Sequence, residues 1–198
     1  WAGGPPGDGD RLESTEVVGA DWSASAAQGW GLVDGRLRSA RAGRARWTGV
    51  RWADVVADGC DFANGDWTAA GLQRVELRDC RLTGANLSEG RLADVRLSGC
   101  KMDGLVGQQL VCVACRFERC DLRDADFEGA DLRGVAFHDC DLRCARLAGA
   151  KLDGTDFRAS RLAGLFADPA RLRGAVIDAG QAVELVTLLG VRIGPAVR

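Results

Sequence analysis

Residues 120–157 read CDLRD ADFEG ADLRG VAFHD CDLRC ARLAG AKLDG TDF, cut here every five residues. Each piece opens on a small residue and carries Leu or Phe at its centre. A helix repeats its apolar face every 3.6 residues and a strand every 2.0, so neither explains a period of five. Stepping outward from Leu122, the register never slips. Of the 30 central positions from 32 to 177, only Ala42, Ala57, Gly107, Cys112 and Ala167 lack a large apolar side chain.

Two residues before each centre runs a second column of mostly Ala, Gly, Cys, Val, Ser or Thr. Where the centre is small its companion is large: Leu105 precedes Gly107, Leu110 precedes Cys112 and Leu165 precedes Ala167. That compensation is expected of two columns filling one core of fixed volume. Glycine clusters two residues after the centre, as at Gly104, Gly134 and Gly164, where a chain turning a corner needs relaxed backbone limits. Each pentad is thus a short side plus a corner.

Cys60, Cys80, Cys100, Cys120 and Cys140 lie 20 residues apart in the small column, and Phe117, Phe137 and Phe157 repeat at the same interval. Four pentads per coil stack each set along one wall. At strand spacing of ~4.8 Å per coil, the repeats make a square rod on the order of 36 Å long. Cysteine fits the inner column as a small buried hydrophobe.

The pattern A-[DN]-L-x-x, present literally as ADFEG and ADLRG, resembles the pentapeptide-repeat family over roughly residues 30–178. The resemblance implies an all-β chain, a right-handed quadrilateral parallel β-helix. The expected organisation is a leader over residues 1–14, the β-helix over 15–178, and a capping or dimerising helix and tail over 179–198. After Ile177 the pentads give way to DAGQAVELVTLLG, with Asp178 as N-cap, Gly190 as stop, and Ala182, Leu185, Val186 and Leu189 at helical spacing. This helix reads as a lid over the open end of the rod. The string LRGAVIDAGQAVELVTLLGVRI is also similar to the terminal segment of the quinolone-resistance (Qnr and MfpA) group. That resemblance implies a homodimer through Ala182, Val183, Leu185, Val186 and Leu189, with Val191 and Ile193 as a terminal strand.

The same resemblance implies a bacterial type II topoisomerase, DNA gyrase or topoisomerase IV, as partner. An acidic rod of duplex-like width would imitate DNA there and protect the enzyme from poisons, as antibiotic resistance or self-resistance. The charge is modest for that task, since 26 basic and 28 acidic residues give a net charge of −2. Sorting residues 60–139 by coil, the walls 60–69, 80–89, 100–109 and 120–129 carry Asp61, Asp66, Glu89, Asp103, Asp121, Asp124, Asp126 and Glu128. Three bases (Arg81, Lys101, Arg123) oppose them, leaving −5, whereas the other two walls total +1. The eight acids are the expected partner-binding residues.

Arg36, Arg38, Arg41, Arg44, Arg46 and Arg51 form an acid-poor run that reads as a basic patch or a solubilising end. LVGQQLVCVA (105–114) places Val106, Val111 and Val113 outward, as an apolar contact patch or a tucked-in bulge. Near-neutral charge argues against direct nucleic-acid binding. One histidine, His138, leaves any nucleophile a single possible base, and Cys112-Val-Ala-Cys115 lacks a second CxxC or neighbouring His for zinc. No catalytic, metal or cofactor site is expected, so the chain reads as a non-enzyme. Without an apolar run of ~18 residues or a signal peptide, it reads as a cytoplasmic protein with reduced thiols. The alternative function is a general protein-interaction scaffold of the same fold with a non-topoisomerase partner.

Overall fold

The computed structural model describes residues 4–186, 188, 191, 192 and 194. Within them the chain winds as a parallel β-solenoid whose coils repeat every 20 residues. Strands β1 (Arg11–Glu13), β2 (Glu16–Val18), β3 (Gly31–Arg38), β4 (Arg51–Asp58), β5 (Gly71–Arg78), β6 (Arg91–Ser98), β7 (Val111–Val113), β8 (Arg116–Glu118) and β9 (Ala136–His138) form one parallel sheet. Its registers advance by 20, as in Trp52↔Leu72, Leu72↔Leu92 and Phe117↔Phe137. The coil is already formed at Arg11, which pairs with Gly31. The expected leader over 1–14 therefore ends earlier, because Arg11–Glu13 finds backbone partners in the next coil.

The four walls are not alike. The first (60–64 and its repeats) and second (65–69 and its repeats) meet their neighbours through single bridges, Asp61↔Arg81 and Asp66↔Asn86 for example. Tight turns close these walls, with Gly65 N donating to Phe62 O at 3.1 Å and Ala70 N to Trp67 O at 3.0 Å. The third and fourth walls carry the extended strands. Through residue 164, corner residues two positions after the centres sit in the left-handed region even when they are not glycine, such as Asp54 (φ 57°), Ala114 (φ 54°) and Asp124 (φ 57°). Asp and Asn tolerate that region better than most residues.

The two inward columns make one continuous core. Its N-terminal part is filled by Trp22, Trp30, Trp47, Trp52, Trp67 and Phe62, in mostly edge-to-face contact at centroid separations such as 5.0 Å (Trp30–Trp47) and 4.9 Å (Phe62–Trp67). These rings occupy the space that the small centres Ala42 and Ala57 leave. Farther along, Phe137 stacks on Phe117 at 4.8 Å and on Phe157 at 5.5 Å. Gly107 makes room for the Phe127 ring, which a Cβ there would meet at 2.9 Å. The cysteine ladder is part of this packing. The Cys80, Cys100, Cys120 and Cys140 thiols each donate to the carbonyl 23 residues back, at 3.4–3.5 Å. Contacts between neighbouring thiols, then burial, hold Cys80, Cys100 and Cys140 above the ordinary thiol pKa.

The last coil is sealed by α1 (Ala179–Val186). Asp178 and Gln181 cap each other: Gln181 N donates to Asp178 Oδ1 at 3.0 Å and Asp178 N to Gln181 Oε1 at 2.8 Å. Gln181, buried, also donates through Nε2 to Phe157 O and Ser160 O. Glu184 accepts from Leu162 N at 2.9 Å, and Asp178 from Ala159 N at 3.1 Å. Side chains of the helix thus pair edge groups that the next coil would otherwise have paired, which is what a lid must do.

Candidate functional site, the second wall and the C-terminal hollow

The eight acids face outward, but the structure does not treat them alike. On the first wall, Asp61 pairs with Arg81 at 3.2 Å. Asp121 is clamped by Arg123, with Nε to Oδ1 at 2.8 Å and Nη2 to Oδ2 at 2.6 Å. That hydrogen bonding holds the Asp121 carboxyl below the usual carboxylate range. The same Asp-x-Arg clip recurs at Asp131–Arg133, Asp141–Arg143 and Asp156–Arg158. Both members flank one inward centre, so they lie side by side on one wall. Asp103 accepts from Thr83 Oγ1 at 2.8 Å, and Asp124 occupies an exposed corner. Four acids against Arg81, Lys101 and Arg123 leave this wall close to neutral over residues 60–139.

The second wall holds the charge. Between 65 and 129 it carries Asp66, Glu89, Asp126 and Glu128 and no base. Its outward column runs Arg46, Asp66, Asn86, Val106, Asp126, Arg146 and Phe166, each bridged to the next. The hydrogen-bond donors to Asp66 and Asp126 are neutral. Asp66 accepts from Thr68 Oγ1 at 2.6 Å, and Asp126 accepts from Gln108 Nε2 at 2.9 Å and Glu128 N at 3.0 Å. These bonds orient the carboxylates without neutralising them, leaving a stripe of one sign between Arg46 and Arg146.

The arginine run does not form a patch. Winding places Arg36 and Arg38 on the fourth wall, Arg41 and Arg44 on the first, Arg46 on the second and Arg51 on the third, so the run girdles the rod. Arg41 pairs with Asp21 at 2.9 Å. Arg51 Nη1 lies across the corner, donating to Gly49 O at 2.6 Å and Ala69 O at 2.8 Å. The apolar stretch 105–114 is also split by winding, and it contains no bulge. Val106 bridges Asn86 and Asp126 on the second wall, while Val111 and Val113 lie on the third in β7, register-paired with β6. Only Val113 of the three is markedly exposed.

At the C-terminal end, α1 and the 3-10 turn Pro169–Leu172 enclose an open hollow of about 580 Å³. Of the expected dimer residues, Ala182, Leu185 and Val186 line it, together with Leu172, Ile177 and Leu188. Leu185 leans on the protein's own core, whereas Val183 is 56% exposed. Leu189 and Ile193 lie outside the described residues.

Sequence reasoning missed Phe166. It is 59% exposed, and the Arg146 guanidinium sits 5.7 Å from its ring centroid. The signal was present: from residue 60 onward, every other aromatic falls at a pentad centre, and Phe166 falls one position early.

Elsewhere His138 Nε2 lies 3.3 Å from Asp156 Oδ2, and Arg158 binds the same carboxylate. Among the described residues, no three or more Cys, His, Asp or Glu side chains group as metal ligands, and no helix is long and apolar enough to cross a membrane.

No curated protein sequence is significantly similar to this chain. Among solved structures, a trypsin-treated QnrB1, described as a plasmid-mediated fluoroquinolone resistance protein, aligns over 93% of this chain and 100% of its own, with 16% identity and a TM-score of 0.51. HetL, described as a pentapeptide repeat protein involved in heterocyst differentiation regulation in the cyanobacterium Nostoc, aligns over 88% of each chain at 21% identity, with a TM-score of 0.39. The likeness to QnrB1 is one of fold. The sequence profile of pentapeptide repeats matches eight copies here, over residues 68–104, 112–139, 120–158 and 140–177. With that match and the coil geometry together, the chain belongs to the pentapeptide-repeat family.

Proposed function

We propose that this rod is a non-enzymatic modulator of DNA gyrase or topoisomerase IV in the bacterial cytoplasm, which it protects from drugs that trap cleaved DNA. The observation that carries the reading is the second wall: Asp66, Glu89, Asp126 and Glu128 with no base between them. A stripe of fixed carboxylates on a rigid rod has the sign of a DNA backbone and suits a groove built to grip one. The wall replaces the two walls expected from sequence as the contacting surface, because the first is close to neutral. The fold shared with QnrB1 supports the reading.

The reading includes a homodimer at the C-terminal end, through exposed Val183 and the hollow lined by Ala182, Leu185 and Val186. Val183→Asp tests this more cleanly than Leu185→Asp, which would also unseat the lid. Sedimentation mass should halve, and an unchanged mass refutes the dimer at this surface.

The function itself is tested by titrating the protein into gyrase supercoiling and cleavage assays, with and without a poison. Cleaved complexes should fall at near-stoichiometric protein. Reversal of Asp66, Glu89, Asp126 and Glu128 to Lys should abolish the effect with the circular-dichroism spectrum unchanged. Protection that survives the reversal removes the acidic wall from the mechanism.

A further inference from the structure

We propose that Phe166, held by Arg146, is the aromatic anchor with which the second wall seats on its topoisomerase partner; the inference rests on the reading above and names a contact within it. Carboxylates at a solvated surface steer and orient a partner, but binding energy comes mainly from a few buried aromatic or arginine side chains. The acidic stripe by itself lacks such a centre. Phe166 supplies it in the same column, because the rungs run Asp126↔Arg146↔Phe166. Two coils separate Asp126 from Phe166, on the order of 10 Å, so one partner surface spans both.

Three features distinguish Phe166 from an incidental exposed apolar residue. First, the rod buries every other described aromatic side chain in its core, and the outward column that Phe166 occupies is otherwise polar, charged, Ala or Val. Second, the residue is fixed before any partner arrives. Its N donates to Ala145 O at 2.8 Å, its carbonyl accepts from Leu147 N at 2.7 Å, and Arg146 sits over its ring. A pre-ordered ring loses little freedom on docking. Third, Arg146 ends the acidic stripe, so ring and guanidinium sit where the surface changes sign. A partner fitting this pattern offers bases to the stripe and, about two coils along, an apolar recess with an acceptor for Arg146. The occupant is therefore the protein wall of a DNA-gripping groove.

The test uses the full chain and reconstituted gyrase holoenzyme, with affinity measured directly and sedimentation mass and melting temperature in parallel. Phe166→Ala should weaken binding at least tenfold, Phe166→Trp should stay within about threefold of the parent, and mass and melting should not move, since an exposed outward side chain contributes little to the fold. If the parent binds and Phe166→Ala binds equally well, the anchor is wrong and the proposed function stands. A parent that binds no topoisomerase overturns both. Should Phe166→Ala change the sedimentation mass, the ring is a contact between copies of this chain, and the inference fails.

Discussion

Replacing Gln181 by Met tests whether α1 is a lid bonded to the last coil. Methionine keeps the length and most of the volume of the side chain, but it loses three hydrogen bonds: those from Nε2 to Phe157 O and Ser160 O, and that from Asp178 N to Oε1. A buried polar group left unpaired costs about 1–3 kcal/mol. Water reaches some of these groups once the helix end loosens, so the total falls at about 2–4 kcal/mol. In a solenoid each coil touches only its neighbours, and the loss should stay local. Native-state amide exchange reads this directly. At 1.4 kcal/mol per factor of ten, Leu162, Phe166 and Val176 should exchange roughly 30- to 700-fold faster. The amides of β5, Gly71–Arg78, should keep the parent's rates. Equal acceleration along the whole rod would mean that it unfolds as one unit. No acceleration at Leu162 and Val176 would mean that the helix does not hold the coil, and would refute the lid.

Three further outcomes follow from the geometry. Gly134 has φ 70° with nothing within 4 Å of an added Cβ, so Gly134→Ala should cost about 1 kcal/mol through backbone strain alone. Ala114→Gly, starting from φ 54°, should be neutral or stabilise by up to about 1 kcal/mol; denaturant melts showing the reverse order would refute the corner argument. An aromatic disulfide reagent should find one fast thiol, exposed Cys144, in the folded protein and the other seven only after denaturation; a second fast thiol would show that a coil opens. Hydrogen bonds from Arg133 lower Asp131 to about 2, and those from Arg158 lower Asp156 as well. A depressed folded pKa stabilises above the unfolded value, so melting should be flat from pH 7 to 5 and fall below about pH 4. Arg133→Gln should raise the Asp131 titration midpoint followed by carboxyl NMR, and an unmoved midpoint refutes the clip.

The period, the register and the inward columns were legible because each pentad repeats the same physical demand: a small residue, a large centre and a tolerant corner. Repetition at Leu122, Phe127 and Leu132 makes the pattern redundant, so exceptions such as Ala42 and Gly107 could not hide it. The surface was less legible because a coil redistributes neighbours in sequence. Arg36 and Arg51 lie 15 residues apart, hence on different walls, whereas Asp126 and Phe166 lie 40 apart and share one. The Asp178–Gln181 cap was half visible: Asp178 reads as an N-cap, whereas the return bond from Asp178 N to Gln181 Oε1 appears only in the structure. The bond from Leu162 N to Glu184 was not visible, because it depends on where the helix lands on the last coil.

The charge density of the second wall limits what imitation of DNA can mean here. Asp66 to Asp126 is three coils, about 14 Å at strand spacing, and four carboxylates over that length give one charge per ~4 Å. Duplex DNA carries one per ~1.7 Å. Such a stripe displaces fewer counterions than the duplex it would replace, so charge alone cannot let it compete for a DNA-binding groove. It can set orientation and register, while the remaining affinity must come from surface that DNA does not offer. A rigid rod with a pre-ordered aromatic at the end of its stripe has such a surface. A partner that binds it should therefore lose less affinity in salt than it loses for DNA, because a larger share of the contact is apolar.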